Sequence, residues 1–233
     1  MKLEKITDAG GRGSKRSYDD ACGAAHALDL VGERWALLIL RELLFGPKRF
    51  SDLRTDLPGI SANVLTQRLA GLEEAGLVVR RRLPPPSSAQ VYEVTPWGAE
   101  SEPIFQALGR WAARSPHHDP SLPLSAVSLL LSFRTMLDPA RAEGIAARIG
   151  LRIGDQAFLA HIAEGRIEIA RADIQGADVV FAGPAPIIAA AVYGGQPLGE
   201  LEAAGLLAVE GDRALAERFV TLFPLPPKVD PAG

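Results

Sequence analysis

The sequence predicts an α+β protein of two domains, a winged helix-turn-helix domain followed by a second α+β domain. Three observations support this prediction. Two short helical patterns flank the turn pair Pro58-Gly59, and a basic strand-like hairpin pattern follows them. The chain of 233 residues is long enough for two modest domains. Prolines between residues 116 and 123 mark a linker, after which short β patterns mix with apolar helical patterns.

The central element is a predicted recognition helix at residues 61–75. Ser61 is a favourable N-cap for it, and Gly76 is a typical C-terminal stop. Leucines at helical spacing make one face apolar: Leu65, Leu69 and Leu72. This face is expected to pack against the rest of the domain.

The opposite face of the recognition helix is polar and contains no acid. Asn63 and Gln67 project from it, with Val64 and Thr66 on its flanks. Asn and Gln can pair bidentately with adenine, so this face suits a DNA major groove. The alternative is an ordinary amphipathic helix whose polar face meets only water.

The segments around this helix favour DNA binding. Residues 50–57 form a short helical pattern, and Pro58-Gly59 separates it from the recognition helix, as in a helix-turn-helix. The strand-like runs 77–83 and 90–94 enclose a proline-rich loop at residues 84–89. A basic hairpin directly after a recognition helix is a wing, which places cations on the DNA backbone or in the minor groove.

The net charge of −3 argues against a general nucleic-acid binder, but the charge is unevenly distributed. Residues 1–116 contain 16 Lys and Arg against 14 Asp and Glu, whereas residues 117–233 contain 9 against 14. Basic residues cluster around the predicted helix and wing: Lys48, Arg49, Arg54, Arg68, Arg80, Arg81 and Arg82. Because the local field governs docking on phosphates, we expect DNA contacts from Arg49, Arg68 and the three wing arginines, in addition to Ser61 and the polar face.

Many short motifs fall in one order along the first half of the chain. They are Cys22, ALDLVGERW (27–35), LLILREL (37–43), RFSDL (49–53), IS (60–61), LTQRL (65–69), LEEAGLV (72–78) and YEVTPWG (92–98). This series resembles the HxlR-type winged-helix regulators. The resemblance implies a DNA-binding transcriptional regulator that acts as a homodimer on double-stranded DNA carrying an inverted repeat. The wing tip departs from the family pattern, since residues 84–88 are three prolines and two serines.

Two helices are expected before the helix-turn-helix. The first begins near residues 19–20 and ends at Gly32, and the second is the strongly apolar segment 35–45. In the second helix, Arg41 and Glu42 are expected to pair with neighbours at the surface of the domain.

After the wing, Thr95-Pro96 is a helix start, with Thr95 as N-cap and proline at the first helical position. Pro103 is expected to kink or split the helix. An apolar stripe runs along this segment: Trp97, Ile104, Phe105, Leu108 and Trp111. The family resemblance implies that the first and last helices of the winged-helix unit form the dimer interface. Packing of the stripe onto the second domain is the alternative.

These patterns give the predicted domain boundaries. Residues 1–18 form a flexible basic arm, residues 19–115 the winged-helix DNA-binding and dimerisation domain, residues 116–123 a linker, and residues 124–233 the second domain. In the linker, His117, His118 and Asp119 are interpreted as solvated, because the other histidines and the cysteine are remote in sequence. No metal site is predicted.

The second domain is predicted to begin with two helices, at residues 127–137 and 140–149. Strand patterns follow at residues 151–153, 157–162, 166–170, 177–181 and 206–211, with a helix at 185–192 and a last helix capped by Asp212. From residue 177 to 226, the strand and glycine spacing resembles the sterol-carrier-protein-like domains. The resemblance implies a sheet with helices on one face and a cavity for apolar ligands. The residues expected at that cavity are Leu130, Phe133, Leu137, Phe219 and Phe223.

Cys22 is the single cysteine, so an internal disulfide is impossible. It is either a redox-sensing thiol, as in related regulators with a cysteine near this point, or a small apolar residue at a helix start. The absence of disulfides, of a secretory signal pattern and of an apolar run of about 20 residues predicts a cytoplasmic protein without membrane contact.

Enzyme chemistry is not predicted, because the sequence contains neither a nucleophile elbow nor a phosphate loop with its lysine, and no cofactor is expected. Two functions stay open. The first is a dimeric DNA-binding regulator whose second domain senses an apolar small molecule. The second is a lipid-binding or carrier protein that uses the winged helix only for dimerisation.

Overall fold

The computed structural model describes residues 17–85 and 87–230, so the predicted arm at residues 1–18 lies almost wholly outside the described residues. The first half folds as α1 (Gly23–Val31), α2 (Ala36–Leu43), α3 (Phe50–Asp56), α4 (Ala62–Glu74), β1 (Val78–Arg82), β2 (Gln90–Val94), α5 (Pro96–Ala99) and α6 (Glu102–Ala112). The second half folds as α7 (Ala126–Met136), β3 (Ala147–Ile153), β4 (Gln156–Ala163), β5 (Arg166–Arg171), β6 (Val179–Ala182), α8 (Ala185–Gly194), α9 (Leu198–Ala203), β7 (Ala208–Gly211) and α10 (Arg213–Phe219).

Helix α4 confirms that a helix forms where the recognition helix is predicted. The Ser61 hydroxyl accepts a hydrogen bond from the Val64 N–H at 3.2 Å, which satisfies one of the free donors at the helix start. Gly76 follows the helix with φ +73°, a conformation in which a β-carbon is strained. The predicted leucine face is buried, and it packs α4 against α1 and α2.

The two helices before the helix-turn-helix are shorter than predicted. Helix α1 begins at Gly23, because the Asp20 carboxylate accepts the Cys22 N–H at 2.9 Å in a turn that precedes the helix. Helix α2 begins at Ala36 and ends at Leu43. Trp35 stays outside it, since its backbone is left-handed with φ +81°.

The wing has the predicted hairpin and one additional strand contact. Strands β1 and β2 pair antiparallel from Val78 opposite Val94 to Arg82 opposite Gln90. Lys48 then pairs with Tyr92 through two backbone hydrogen bonds, of 3.0 and 2.8 Å. The base of the wing is thereby tied to the loop that precedes α3.

The segment after the wing is split into two helices, as Pro103 predicts. The Thr95 hydroxyl caps α5 by accepting the Gly98 N–H at 3.0 Å. Pro103 occupies the first turn of α6, where its missing N–H costs nothing. None of the helices in the described residues is long and apolar enough to cross a bilayer.

The second domain is a five-stranded sheet in the order β5-β4-β3-β6-β7, with β3 and β6 parallel and the other pairs antiparallel. Alternate residues of the strands face the helices and are buried, among them Ile149, Leu151, Phe158 and Phe181. The coarse α+β prediction is therefore confirmed. Helix α9 was not expected from the sequence.

One helix of the second domain is predicted wrongly. Residues 140–144 form turns, and β3 occupies Ala147–Ile153 where the sequence predicts the end of a helix at residues 140–149. Along β3, from Ala147 to Ile153, every second residue is buried, and most of the residues between them are exposed. This alternation has the period of a strand, and β3 pairs with both β4 and β6 as an inner strand of the sheet.

The buried apolar residues of the two halves form one contiguous cluster. The leucines of α4 belong to it, and so do the aromatic rings of the second domain. Helix α7 is central to this arrangement, since it contacts α2 and α6 on one side and β5 and α8 on the other.

Candidate DNA-binding surface and the domain junction

The polar face of α4 is open to solvent. Asn63, Thr66 and Gln67 are exposed, and Val64 is half-buried beside them. The Thr66 hydroxyl donates to the Ala62 carbonyl at 2.9 Å, so its methyl group faces outward on the helix surface. The exposed amides of Asn63 and Gln67 lie one helical turn apart on the same face.

Arg68 is placed differently from the other residues predicted to contact DNA. Its Nε donates to the Arg34 carbonyl at 3.1 Å, and its Nη2 donates to the Glu33 carboxylate at 2.8 Å. Only 25% of the Arg68 side chain is exposed. The guanidinium therefore binds the turn between α1 and α2.

The wing arginines divide between the two faces of the hairpin. Side chains alternate along a strand, so Arg80 and Arg82 share one face and Arg81 lies on the other. Arg81 pairs with Glu93 at 2.7 Å and Arg80 lies 3.7 Å from Glu73. Among the described residues, no carboxylate lies within ion-pair distance of Arg82. Its charge is the least neutralised of the three.

The wing tip is connected to the start of α3. The exposed Arg49 donates through Nη2 to the Ser87 hydroxyl at 3.2 Å. The Asp52 carboxylate accepts the Arg49 N–H at 3.1 Å and so caps α3. Arg49 thus lies between the helix-turn-helix and the wing, on the side where the tip begins.

The apolar stripe of α5 and α6 is largely uncovered. Trp97, Ile104, Leu108 and Trp111 are exposed, and 74% of the Trp111 surface is accessible. Phe105 departs from the prediction, because it is buried in the core of its own chain. Its position on the inner side of α6, towards α7, explains this difference.

A buried ionic cluster connects the helix-turn-helix domain to the second domain. We call it the junction cluster, and it consists of Glu42, Lys48, Asp56 and Ser125. The Lys48 ammonium lies 2.8 Å from a Glu42 oxygen and 2.5 Å from an Asp56 oxygen. The Ser125 hydroxyl, at the N-cap of α7, donates to the other Glu42 oxygen at 2.7 Å. Arg41 also binds Glu42, at 2.8 Å.

The expectation that Glu42 lies at the surface is wrong. Its side chain has no exposed area, and Lys48 is almost as deeply buried. Burying a carboxylate is unfavourable unless several donors bind it, and here three residues do so. Glu42 is therefore a structural anchor for the contact between α2 and α7.

A second set of contacts joins the domains at the other end of α7. Arg134 binds both carboxylate oxygens of Glu102 on α6, at 2.6 and 2.8 Å, and donates to the carbonyl of Ile169 on β5. Its guanidinium also lies over the Phe45 ring, 4.5 Å from the centroid. Phe45 in turn meets Phe158 of the sheet edge to face, with centroids 6.3 Å apart.

Most of the residues predicted to line an apolar cavity instead fill the core, whereas Phe223 packs on them and also lines an open groove beside the core. Leu130, Phe133 and Phe219 have no exposed surface, so no space wide enough for a water molecule touches them. Phe133 stacks on Phe223 at 4.6 Å and meets Phe219 at 5.6 Å. The aromatic rings occupy the volume that a ligand would need, and Leu137 lies half-buried at their margin.

An open groove lies beside this core, between the end of α8, the start of α9 and α10. Its volume is about 640 Å³. Apolar walls come from Val192, Pro197, Val220, Phe223 and Leu225, and polar groups from Arg141, Tyr193 and Arg213. The Tyr193 hydroxyl shares a 2.7 Å hydrogen bond with Ser132 of α7, and burial raises the pKa of this phenol. The sequence gives no direct signal for this groove, because its walls come from separate elements.

Cys22 lies at the N-terminal end of α1 and is exposed. The backbone N–H groups of Ala25 and Ala24 lower the pKa of its thiol from the ordinary value. His117, His118 and Asp119 of the linker form no metal-binding group, and no cluster of three potential metal ligands occurs within residues 17–85 and 87–230.

Comparison with known proteins identifies the family. The sequence profile of HxlR-like helix-turn-helix proteins matches residues 30–119. The HTH-type transcriptional regulator YodB of Bacillus subtilis is 37% identical over 86 residues, which cover 37% of this chain and 77% of YodB. YtfH of Escherichia coli, named as an HTH-type transcriptional regulator, is 35% identical over 94 residues, covering 40% of this chain and 75% of YtfH.

Among solved structures, the reduced form of YodB aligns at 34% identity with a TM-score of 0.38, covering 42% of this chain and 98% of that chain. The sequence matches define a class of helix-turn-helix transcriptional regulators that bind DNA. The chain belongs to the HxlR-like helix-turn-helix family. The match with the family profile ends at residue 119, before α7 and the second domain.

Proposed function

We propose that the protein is a homodimer that recognises a specific operator through α4 and responds to a small molecule through its second domain. The exposed, acid-free face of α4 is the observation that carries this proposal. Asn63 and Gln67 each have an amide that can pair with an adenine edge in the major groove. Arg49 and the wing arginines supply cations for the flanking phosphates.

The proposed dimer uses the exposed stripe of α5 and α6. Trp97, Ile104, Leu108 and Trp111 form an apolar surface that a second copy of the chain would cover. Two recognition helices on a two-fold axis fit an inverted repeat whose half-sites lie about one helical turn apart. Light scattering at micromolar concentration tests the dimer, and a monomeric mass for the wild type would refute it.

The second domain, a sheet covered by helices that we propose to be sterol-carrier-like, is the proposed sensor. Since the core is filled, the groove beside α8 and α10 is the proposed site. Its volume lies in the range of small-molecule sites, roughly 300–1,000 Å³. Its apolar walls, with Arg141 at one side, suit a fatty or aromatic molecule with one polar end.

Helix α7 provides a route from this groove to the recognition helix. Tyr193 at the groove binds Ser132 of α7, and the N-cap of the same helix binds Glu42. A ligand changes DNA affinity only if it prefers one arrangement of α7 over another. A second route, through α6 and the linker, would run beside this one, because α6 packs on α7.

The deciding experiment is a gel shift with the DNA upstream of the protein's own gene, repeated at rising salt concentration. We expect a specific shift that weakens as salt increases, because counterions are released on binding. A protein that shifts no DNA at low salt would favour the alternative function, a lipid-binding carrier that uses the winged helix only for dimerisation.

A thermal-shift screen of fatty and aromatic acids tests the proposed sensor role of the second domain. That role is refuted if no compound raises the melting temperature or alters the gel shift.

Oxidant sensing by Cys22 is a second candidate function. The exposure of the thiol and its lowered pKa favour it, since the thiolate is the form that reacts with oxidants. Diamide should then lower the DNA affinity of the wild type and leave that of Cys22→Ser unchanged. Equal responses of the two proteins would contradict this function.

A further inference from the structure

The turn between α1 and α2 contacts both the recognition helix and the turn that precedes it. Arg68, in the middle of α4, binds the Arg34 carbonyl and the Glu33 carboxylate at 3.1 and 2.8 Å. Just before the N-terminal end of α4, the Trp35 ring lies 3.8 Å from the position that a β-carbon on Gly59 would occupy. Gly59 belongs to the tight turn that precedes α4. One short turn therefore supports both the body of the recognition helix and its entry.

The backbone of this turn is held in an unfavourable conformation. Trp35 has φ +81° and ψ −21°, a left-handed geometry that is rare for a large side chain. Such a conformation persists only where surrounding contacts determine it. Here the Ala36 N–H binds the Glu33 carbonyl at 2.9 Å, and the Arg34 guanidinium lies 5.5 Å from the Trp35 ring centroid.

We propose that Glu33, Trp35 and Arg68 are positioning residues that set the orientation of α4, and that Arg68 makes no contact with DNA phosphate. This inference rests on the proposed function, in which α4 enters the major groove. Two donors of the Arg68 guanidinium are already used, and most of its side chain is covered. Glu33 is 61% exposed, and its carboxylate cannot attract a polyanion. Any contribution of Glu33 to DNA affinity would therefore come from its bond to Arg68.

The competing role for Arg68 is a phosphate contact, and the two roles differ in how they depend on charge. A phosphate contact requires only a cation, so Arg68→Lys would keep it. In the observed geometry, one guanidinium N–H binds a carbonyl and another binds a carboxylate. The compact ammonium of lysine does not reproduce this pair of hydrogen bonds. A phosphate contact would also contribute about 0.9 to the slope of log affinity against log salt.

The test uses a duplex selected from a random library by the wild-type protein, and a scrambled duplex of the same length. The variants are Arg68→Lys, Arg68→Ala, Glu33→Gln and the double variant Glu33→Gln with Arg68→Ala. We expect each single variant to bind the selected duplex about two- to five-fold more weakly, with the salt slope unchanged, because an exposed ion pair is broken. The double variant should be no weaker than Arg68→Ala, since both substitutions remove one interaction.

Two results would overturn the inference while leaving the proposed function intact. One is a wild-type affinity for Arg68→Lys together with a lower salt slope for Arg68→Ala. The other is an unchanged or higher affinity for Glu33→Gln, which would mean that the bond between Glu33 and Arg68 does not support DNA binding. If the wild type selects no duplex at all, the proposed function itself fails, and the positioning role fails with it. Thermal unfolding of each variant checks that the fold is retained.

Discussion

The ion pairs around the recognition helix and wing and those of the junction cluster all join a basic residue to a carboxylate but differ in burial. Arg81 is 65% exposed where it pairs with Glu93, whereas Glu42 is fully buried where it meets Lys48. Water competes with the first pair and is excluded from the second. Exposed pairs contribute about 0–1 kcal/mol to the free energy of unfolding, but removing one partner of a buried pair lowers it by about 3–5 kcal/mol.

This difference separates two tasks of the protein. The side chains on the proposed DNA-binding surface are replaceable in terms of stability, so they would be free to determine affinity and specificity. The junction cluster determines how the second domain is held against the helix-turn-helix. A variant can therefore lose DNA binding in two ways, by a lost contact or by a disturbed junction, and stability measurements distinguish them.

The largest expected effect comes from Lys48→Met. It leaves the buried carboxylate of Glu42 without one of its two cations and Asp56 without its partner, so we expect the free energy of unfolding to fall by about 3–5 kcal/mol. The matched control is Arg81→Met, which breaks an exposed pair and should cost at most about 1 kcal/mol. Urea denaturation measures both. Similar values for the two variants would show that burial of the junction does not matter for stability.

Ser125→Ala should have the next largest effect. It removes the N-cap of α7 and the hydrogen bond to Glu42, and together these losses cost roughly 2–4 kcal/mol. Ser61→Ala is the control, because it removes an N-cap on α4 and no bond to a charged group, at a cost of about 1 kcal/mol. If the two serine variants are equally stable in denaturant, Ser125 acts only as a cap.

Asn63→Ala and Gln67→Ala should leave stability within about 0.5 kcal/mol of the wild type, because both residues are exposed. Each should weaken specific DNA binding by about 1–3 kcal/mol if it reads a base. Gln175→Ala, an exposed amide in the second domain, is the control. Wild-type affinity and selectivity in the Asn63 and Gln67 variants would show that α4 does not read bases in the groove.

The smallest expected effect distinguishes the two faces of the wing. Arg82→Ala should lower the salt slope by about 0.9, since its charge is not neutralised by a neighbouring carboxylate among the described residues. Arg81→Ala should lower it less, because Glu93 already lies 2.7 Å from that guanidinium. Binding measured over a salt series gives both slopes. A larger change for Arg81 would assign the opposite face of the wing to the DNA.

The parts of the molecule that depend on local signals could be predicted from the sequence. The recognition helix has its N-cap at Ser61 and its stop at Gly76 within 16 residues, and both act as predicted. The wing hairpin depends on strands only a few residues apart. These features need no knowledge of distant parts of the chain.

The junction cluster could not be predicted, because Ser125 lies 83 positions from Glu42 and nothing local links them. The hydrogen bonds of Arg68 could not be predicted for the same reason, since its partners are 34 and 35 positions away. Strand β3 is different. Its apolar residues alternate at positions 147, 149, 151 and 153, a period of two that favours a strand over the predicted helix.

The contiguous core has a consequence for genetics. Because α4 draws its support from a cluster that extends through β3 and β6 to α10, damage anywhere in that cluster reduces the fraction of folded molecules. In a cell, a loss of about 1–2 kcal/mol changes abundance several-fold through proteolysis. A screen for loss of regulation should therefore return substitutions scattered through β3, β6 and α10. Such positions report on protein level, and they do not by themselves map the site of an effector.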